Sequence, residues 1–144
     1  MILIAHRGNW FGSKPQRENK PKYIQQALDL GYDAEVDVWY INQRWWLGHD
    51  QPQYKIDLKF LKTKGLWCHA KNVQALVKLL VAGVHCFWHE KDERALTSKG
   101  FIWTYPGQEL GENSIAVMPE TVTNWQLNKC AGICSDQLKQ YEKI

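Results

Sequence analysis

Short apolar runs alternate with amphipathic segments along most of the chain, and this alternation is typical of βα units around a parallel sheet. The runs are too short for helices, and most are followed by turn-forming residues. They predict a mixed α/β fold whose sheet contains about seven parallel strands. The predicted strands are residues 2–5, 34–40, 66–70, 85–89, 101–105, 114–118 and 132–134.

Two segments between these runs have clear helical periodicity. Residues 22–30 and 73–81 place their apolar side chains on one helical face and end before Gly31 and Gly83. Asn72 is a suitable N-cap for the second helix. Residues 106–113 contain proline, two glycines and little periodicity, so we expect a loop there. Further helices are predicted at residues 57–64, 92–99, 120–129 and 136–142.

Composition narrows the class of protein. The 144 residues, 44% hydrophobic and 23% charged, predict one globular domain spanning residues 1–144. A net charge of +3 without a basic run argues against nucleic-acid binding. No apolar stretch approaches the length of a membrane span and no targeting segment is recognised, so we expect a cytoplasmic protein without stable membrane insertion. In that compartment the four cysteines are expected to be free thiols.

Four short motifs rich in reactive side chains follow the first strands. They are His6-Arg7-Gly8, Glu18-Asn19, Glu35-x-Asp37 and Gly48-His49-Asp50. The two carboxylates of the third motif are two residues apart on one strand and therefore point to the same face. Two such carboxylates favour a hard divalent cation between them. Asn42-Gln43 predicts a hairpin turn that returns His49 to the strand ends.

The order and spacing of these motifs, together with Lys71, resemble the glycerophosphodiester phosphodiesterase family of the phospholipase C-like phosphodiesterases. The likeness covers mainly residues 1–71, and Ser135-Asp136 resembles the end of the family's last strand. The resemblance implies a metal-dependent TIM barrel. Because such barrels usually need about 250 residues, 144 residues imply a compact or incomplete barrel with about seven parallel strands and shortened helices.

The resemblance also implies roles for individual residues. His6 and His49 would be the general acid and base, since imidazole titrates near neutral pH. Arg7 and Lys71 would bind phosphate oxygens. Glu35 and Asp37 would bind Mg²⁺ or Ca²⁺.

The supporting residues have less direct roles. Glu18 and Asn19 would organise the first loop by hydrogen bonds. Asp50 would orient its neighbours or cap the following loop, and Asp136 would either cap the last helix or contribute to the site.

One position departs from the family pattern. His69 stands where the family has a glutamate that binds the metal. An imidazole ligand at that position would favour Mn²⁺ or Zn²⁺ over Mg²⁺ or Ca²⁺. His69 is therefore a metal ligand, a phosphate contact or a satisfied core histidine. His89, at the end of the next strand, is predicted to face the same pocket and contact phosphate.

These residues predict a phosphoric diester hydrolase acting on a small glycerophosphodiester-like or other polyol phosphodiester. Two alternatives remain at this point. One is a phospholipase D- or C-like lyase that releases a cyclic phosphate. The other is a catalytically degenerate barrel that binds a phosphorylated ligand. The sequence fixes neither the alcohols of the substrate nor the oligomeric state.

Overall fold

A computed structural model describes residues 1–144 as a mixed α/β fold with one ten-stranded sheet and three short helices. The helices are α1 (Pro21–Asp29), α2 (Leu58–Leu61) and α3 (Val73–Val81). The strands are β1 (Ile2–Ala5), β2 (Asp33–Ile41), β3 (Arg44–Leu47), β4 (Tyr54–Ile56), β5 (Leu66–Ala70), β6 (Cys86–Phe87), β7 (Arg94–Leu96), β8 (Ile102–Thr104), β9 (Ser114–Val117) and β10 (Gly132–Ser135). The 3₁₀ turns are His6–Gly8, Pro119–Thr121, Leu127–Lys129 and Leu138–Tyr141.

The sheet is curled but does not close. Parallel pairing runs in the order β6-β5-β2-β1-β10-β9-β8, and β6 and β8 do not pair with each other. Strands β3, β4 and β7 are antiparallel to their neighbours. The predicted α/β class is confirmed, but the sheet is mixed rather than all parallel and is not a closed TIM barrel. Closure fails because β6 has only two residues and β7 occupies the free edge of β8.

Residues 1–81 follow their hydrophobic pattern closely. Helix α1 buries Tyr23, Ile24 and Ala27, and α3 begins where Asn72 accepts a hydrogen bond from the Ala75 amide. The predicted hairpin forms between β2 and β3 around Asn42-Gln43. The predicted helix at 57–64 is shorter, and β4, which the sequence did not reveal, pairs with β3.

Residues 82–144 contain no α-helix, contrary to prediction. Residues 92–99 form β7, because Arg94, Ala95 and Leu96 alternate between exposed and buried and pair with β8. Residues 120–129 form only two 3₁₀ turns, where Asn124 has a left-handed φ of 59°. The predicted helix at 136–142 is likewise a 3₁₀ turn.

The curled sheet separates two apolar layers. Val36 and Val38 face the helices from β2, whereas Glu35 and Asp37 lie on the inner face of the same strand. The inner face is filled at its centre by an aromatic cluster that includes Trp67, Phe87 and Trp103. No helix has both the length and the apolar character to cross a bilayer. All four cysteines are free.

Candidate functional site

The carboxyl ends of the parallel strands surround a cavity of about 550 Å³, which we call the main cavity. This is the end of a parallel sheet at which ligands usually bind. Its polar side, here called the charged wall, consists of Arg7, Glu35, Asp37, His69 and Lys71. Its opposite side, the aromatic wall, consists of Trp88, Trp103 and Tyr105. The predicted residues His6, His49 and His89 also line this cavity.

Glu35, Asp37 and His69 form the one compact group of potential metal ligands. Their ligand atoms lie within 4.8 Å of one another, and all three residues are buried. Strand pairing causes this convergence, since Asp37 and His69 stand opposite each other in the register of β2 and β5. Two carboxylates and one imidazole suit a divalent ion that accepts both oxygen and nitrogen. The donor set therefore fits the metal implied by the sequence.

Asp37 is the most heavily bonded member of the charged wall. Asn19 both donates from its side chain to Asp37 Oδ2 at 2.8 Å and accepts from the Asp37 amide at 2.9 Å. The other oxygen lies 3.1 Å from His69 Nδ1 and 3.5 Å from Lys71 Nζ. Burial alone would raise the pKa of Asp37. His69, Lys71 and Arg7 together lower it by more than burial raises it, so the pKa of Asp37 lies well below its usual range. Asp37 is thus a carboxylate at every physiological pH.

Glu35 has a different electrostatic environment although it is only two residues away. Its Oε2 accepts a hydrogen bond from the Arg7 amide at 3.0 Å, and its Oε1 lies 3.9 Å from His69 Nδ1. Burial and the charge of Asp37 raise the pKa of Glu35 above its ordinary value. The same two neighbouring carboxylates therefore have pKa values shifted in opposite directions, a feature common in functional sites.

Arg7 connects the first loop to the charged wall. Its backbone is left-handed, with φ of 51°, which is uncommon outside glycine and costs stability. One guanidinium nitrogen donates to Glu18 Oε2 at 3.1 Å, whereas the buried Nε lies 3.4 Å from Asp37 Oδ2 without a hydrogen bond. Glu18 also accepts from Asn9 and Ser13. The second terminal nitrogen of Arg7, Nη2, makes no hydrogen bond within the chain, so Arg7, which lines the main cavity, keeps a donor for a ligand.

His6 is held by a carboxylate from the other end of the chain. Its Nδ1 lies 2.9 Å from Asp136 Oδ1, which also accepts from Asn9 Nδ2 at 2.9 Å. Burial lowers the pKa of His6, but Asp136 and Glu35 raise it by more, so the net shift is upward. Because an ionised carboxylate only accepts, the Nδ1 of His6 carries the proton and Nε2 is left for a ligand. Asp136 therefore positions His6 and does not cap an α-helix, because only a 3₁₀ turn follows it.

His49 repeats this arrangement in a more open position. Its Nδ1 lies 2.7 Å from Asp50 Oδ1, and the His49 side chain is 41% exposed. The hairpin β2-β3 delivers it to the cavity, where Gly48 follows β3 and its amide bonds the Asp37 carbonyl. The two predicted acid-base histidines therefore line the same cavity, and each has its Nδ1 bonded to a carboxylate and its Nε2 left for a ligand.

His89 joins the charged and aromatic walls. Its ring stacks on His69 with centroids 4.4 Å apart, and its Nε2 is hydrogen-bonded to the Tyr105 hydroxyl. Burial is the main reason that the pKa of His89 falls to about 4. Sequence reasoning missed Tyr105, Trp88 and the fully buried Asn9. Asn9 had a signal, since it is a polar residue directly after His6-Arg7-Gly8.

The structure thus brings together every predicted residue of the charged wall, both predicted acid-base histidines and His89. The arrangement offers ligands for a divalent ion, cationic groups for an anion, and two imidazoles for proton transfer. Comparison of the chain with family models, with curated proteins and with solved structures finds no match.

Proposed function

We propose that this protein is a metal-dependent phosphodiesterase that cleaves a diester containing a polyol alcohol. The observation that supports this most directly is the single cavity in which a carboxylate-imidazole ligand set, two cationic side chains and two carboxylate-bonded imidazoles meet. Proton transfer, anion binding and metal ligation each promote phosphodiester cleavage at neutral pH, and a metal-dependent enzyme combines the three. The curled, open sheet would then be a reduced form of the barrel that the sequence resembles.

The charged wall supplies the binding groups in this proposal. Glu35, Asp37 and His69 hold a divalent ion, which supplies Lewis-acid activation and charge neutralisation at the phosphate. Lys71 and the free face of the Arg7 guanidinium bind phosphate oxygens. His89, predicted to contact the phosphate, borders the same space, but its Nε2 is bonded to Tyr105 and its Nδ1 is buried, so a phosphate contact requires the Tyr105 hydroxyl to give way. His69 makes Mn²⁺ or Zn²⁺ a better match than Mg²⁺ or Ca²⁺.

The two histidines supply the proton transfers. His6, whose pKa is raised by Asp136 and Glu35 despite burial, donates a proton from Nε2 to the leaving alcohol oxygen. His49, held through Nδ1 by Asp50, accepts a proton at Nε2 from the attacking hydroxyl. Each imidazole is thus oriented by its own carboxylate, His6 by Asp136 and His49 by Asp50.

The test is turnover of a chromogenic diester by the full chain, with Mg²⁺, Ca²⁺, Mn²⁺ and Zn²⁺ compared and a chelator as the blank. His6→Ala and His49→Ala should each lower kcat by about 10³-fold, the usual contribution of a general acid or base. His85→Ala is the matched control, because His85 lies outside the main cavity, bonded to Thr97. Full activity of either cavity variant would exclude the proposal.

Hydrolysis and cyclisation give different products. An attacking hydroxyl on the substrate itself forms a cyclic phosphate first, and water then opens it in a hydrolase. Phosphorus NMR of a completed reaction distinguishes the two, because a hydrolase leaves a monoester and a lyase leaves the cyclic ester. We propose the hydrolase, and a persistent cyclic signal would reassign the protein as a lyase.

One observation favours a second candidate, a degenerate barrel that binds a phosphorylated ligand without turnover. Asp37 is already surrounded by His69, Lys71 and Arg7, so the charged wall is partly neutralised without a metal. This candidate expects phosphate monoesters to bind equally well with and without a chelator. Turnover of any diester would exclude it.

A further inference from the structure

Helix α3 is apolar on both of its long sides. Its inner side buries Ala75 and Leu79 against the sheet. Its outer side carries four large apolar side chains, each between 50% and 84% exposed, which we call the α3 face. They are Val73, Val77, Leu80 and Val81. Single exposed apolar residues are common, but four at helical spacing on one short helix form a contiguous patch, which indicates a contact surface.

The α3 face is uncovered because the helix layer ends at α3. In an α/β fold each helix normally packs beside the next one. After β6, however, the chain forms β7 instead of the helix predicted at residues 92–99, so no further helix lies beside α3. Leu96 of β7 is also exposed on the outer side, because its neighbour Ala95 is buried in the inner cluster. The fold therefore leaves apolar area open where another helix would pack.

The loop that follows β6 places negative charge near the start of α3. Its charged residues, three acids and one base, are Glu90, Lys91, Asp92 and Glu93. His89 of this loop stacks on His69, at the carboxyl end of β5, where α3 begins. Arg94, the next residue, lies 3.9 Å from Glu93 and offsets part of the charge. We call residues 88–93 the acidic loop.

The other end of α3 is basic. Ala82 and Gly83, which end the helix, line a cavity at the amino ends of the strands. Three exposed lysines line the same cavity, and we call them the basic end; they are Lys62, Lys64 and Lys99. The one carboxylate there, Asp33, is half-buried and accepts a hydrogen bond from Trp67. The nine residues of α3 thus separate opposite charges by about 14 Å.

We propose that the α3 face docks onto the α3 face of a second copy of this chain, with the two helices antiparallel across a two-fold axis. Val77 is the central position of the face, so an axis at Val77 sets Val73 against the partner's Val81. The same axis sets the acidic loop of each copy against the basic end of the other. This charge complementarity favours a second copy over an anionic membrane, which the acidic loop would repel.

The size of the α3 face fits a weak dimer rather than an obligate one. Its exposed fractions amount to roughly 250 Å² of apolar side-chain surface per copy, at about 100 Å² for a fully exposed Val or Leu. A standard interface buries about 800 Å² per partner, of which about two thirds is apolar in homodimers. The α3 face supplies about half of that apolar area. We therefore expect a reversible dimer with a Kd of about 10 μM.

Sedimentation velocity of the full chain between about 1 and 200 μM tests the dimer. Val77→Ser and Leu80→Gln should each raise Kd at least about tenfold, because both remove apolar area from the centre of the interface. Leu30→Gln is the matched control, since it removes a similarly exposed apolar side chain beside α1 and should change Kd less than about twofold. Circular dichroism establishes that each variant is folded.

A charge exchange tests the antiparallel arrangement. One double variant, Asp92→Lys with Glu93→Lys, makes both ends of α3 basic, and another, Lys62→Glu with Lys64→Glu, makes both ends acidic. Each should be monomeric alone, because like charges then meet across the axis. An equimolar mixture should form a heterodimer, because each end then meets its opposite. Raising the salt to about 0.5 M should weaken the wild-type dimer severalfold.

The outcomes decide the proposal independently of diester turnover. A wild-type chain that stays monomeric throughout the concentration range, or a dimer that Val77→Ser and Leu80→Gln leave unchanged, would overturn it. A mixture of the two charge variants that remains monomeric would overturn it as well. Co-sedimentation of a monomeric wild type with phosphatidylserine vesicles, lost in Leu80→Gln, would assign the α3 face to a membrane surface instead.

Discussion

The charged wall and the aromatic wall of the main cavity are built in opposite ways. On the charged wall, Asp37 keeps its ionised form through hydrogen bonds and ion pairs with Asn19, His69 and Lys71. On the aromatic wall, Trp103 is positioned by stacking on Phe87 and burial of apolar area. Buried charges are costly even when paired, whereas buried rings stabilise. The comparison indicates that the charged wall holds its ionisable groups together at the expense of stability, whereas the aromatic wall supplies stability.

The largest effect is expected on the aromatic wall. Trp103→Ala should lower the free energy of unfolding by about 3–5 kcal/mol, because it leaves a cavity beside Phe87. Trp103→Phe should cost distinctly less, since a ring still fills part of the space. Urea denaturation measures both. A loss below about 1 kcal/mol for the alanine variant would contradict the conclusion that the aromatic wall supplies stability.

Asp136→Asn tests the charged side of the cavity next. Removing the carboxylate charge should lower the pKa of His6, because Asp136 raises it in the native protein. Turnover should fall roughly 100-fold as His6 loses its orientation and its proton affinity. Proton NMR of the His6 ring gives the pKa directly. An unchanged pKa would show that Glu35 rather than Asp136 controls His6.

His85 lies at the amino end of the sheet and extends the comparison of polar and aromatic groups to that end. Its ring centroid is 4.2 Å from that of Trp67. Burial and Lys99 lower its pKa to about 4. An unfolded histidine takes up a proton near pH 6.5, so the unfolded state binds the proton first as pH falls. The contribution of His85 to the free energy of unfolding is therefore fully present above pH 6.5. It falls by about 2 kcal/mol as the pH is lowered to 4.

The His85→Gln variant is the reference for that measurement. Its unfolding free energy, followed by thermal denaturation between pH 7 and pH 4, should decline less steeply than that of the wild type. Because the pKa of His89 is also about 4, only the difference between the two slopes belongs to His85. Identical slopes would show that His85 does not contribute to the pH dependence of the free energy of unfolding.

The smallest effect is expected for Glu35→Gln. The glutamine side chain retains an oxygen that accepts from the Arg7 N–H, and the substitution removes a buried charge next to Asp37. The free energy of unfolding should therefore rise by about 1 kcal/mol. The same change should weaken Mn²⁺ binding, which calorimetry measures. A variant that is both less stable and unchanged in metal affinity would contradict the assignment of Glu35 to the charged wall.

Features that depend on local sequence could be predicted, whereas features that depend on distant partners could not. Helix α3 was identified with its bounds because its periodicity, the Asn72 cap and the following Gly83 all agree. Glu35 and Asp37 were placed on one face because alternation along a strand depends on local geometry alone. Asp136 was placed only as an alternative, because its partner His6 is 130 residues away along the chain.

The failures lie where long-range pairing overrides local preference. Residues 92–99 contain good helix formers, yet Ala95 becomes buried only when β7 pairs with β8. Residues 120–129 were read as one helix, but the Thr121 hydroxyl donates to the Met118 carbonyl and Asn124 adopts a left-handed turn. Trp88 and Tyr105 of the aromatic wall were missed for the same reason, since they come from segments whose arrangement depends on sheet curvature.

The gap between β6 and β8 has a consequence for the time scale of motion. Ser98 bridges it, accepting from the Cys86 amide at 3.0 Å through its hydroxyl and donating its own amide to the Cys86 carbonyl at 2.8 Å. No strand ladder crosses this gap, unlike every other neighbouring pair in the parallel part of the sheet. Apart from the two bonds of Cys86, only side-chain hydrogen bonds cross it, from His85 to Thr97, from Ser98 to Val84 and between His89 and Tyr105. The Cys86 and Ser98 amides should therefore exchange with deuterium ahead of the rest of the sheet.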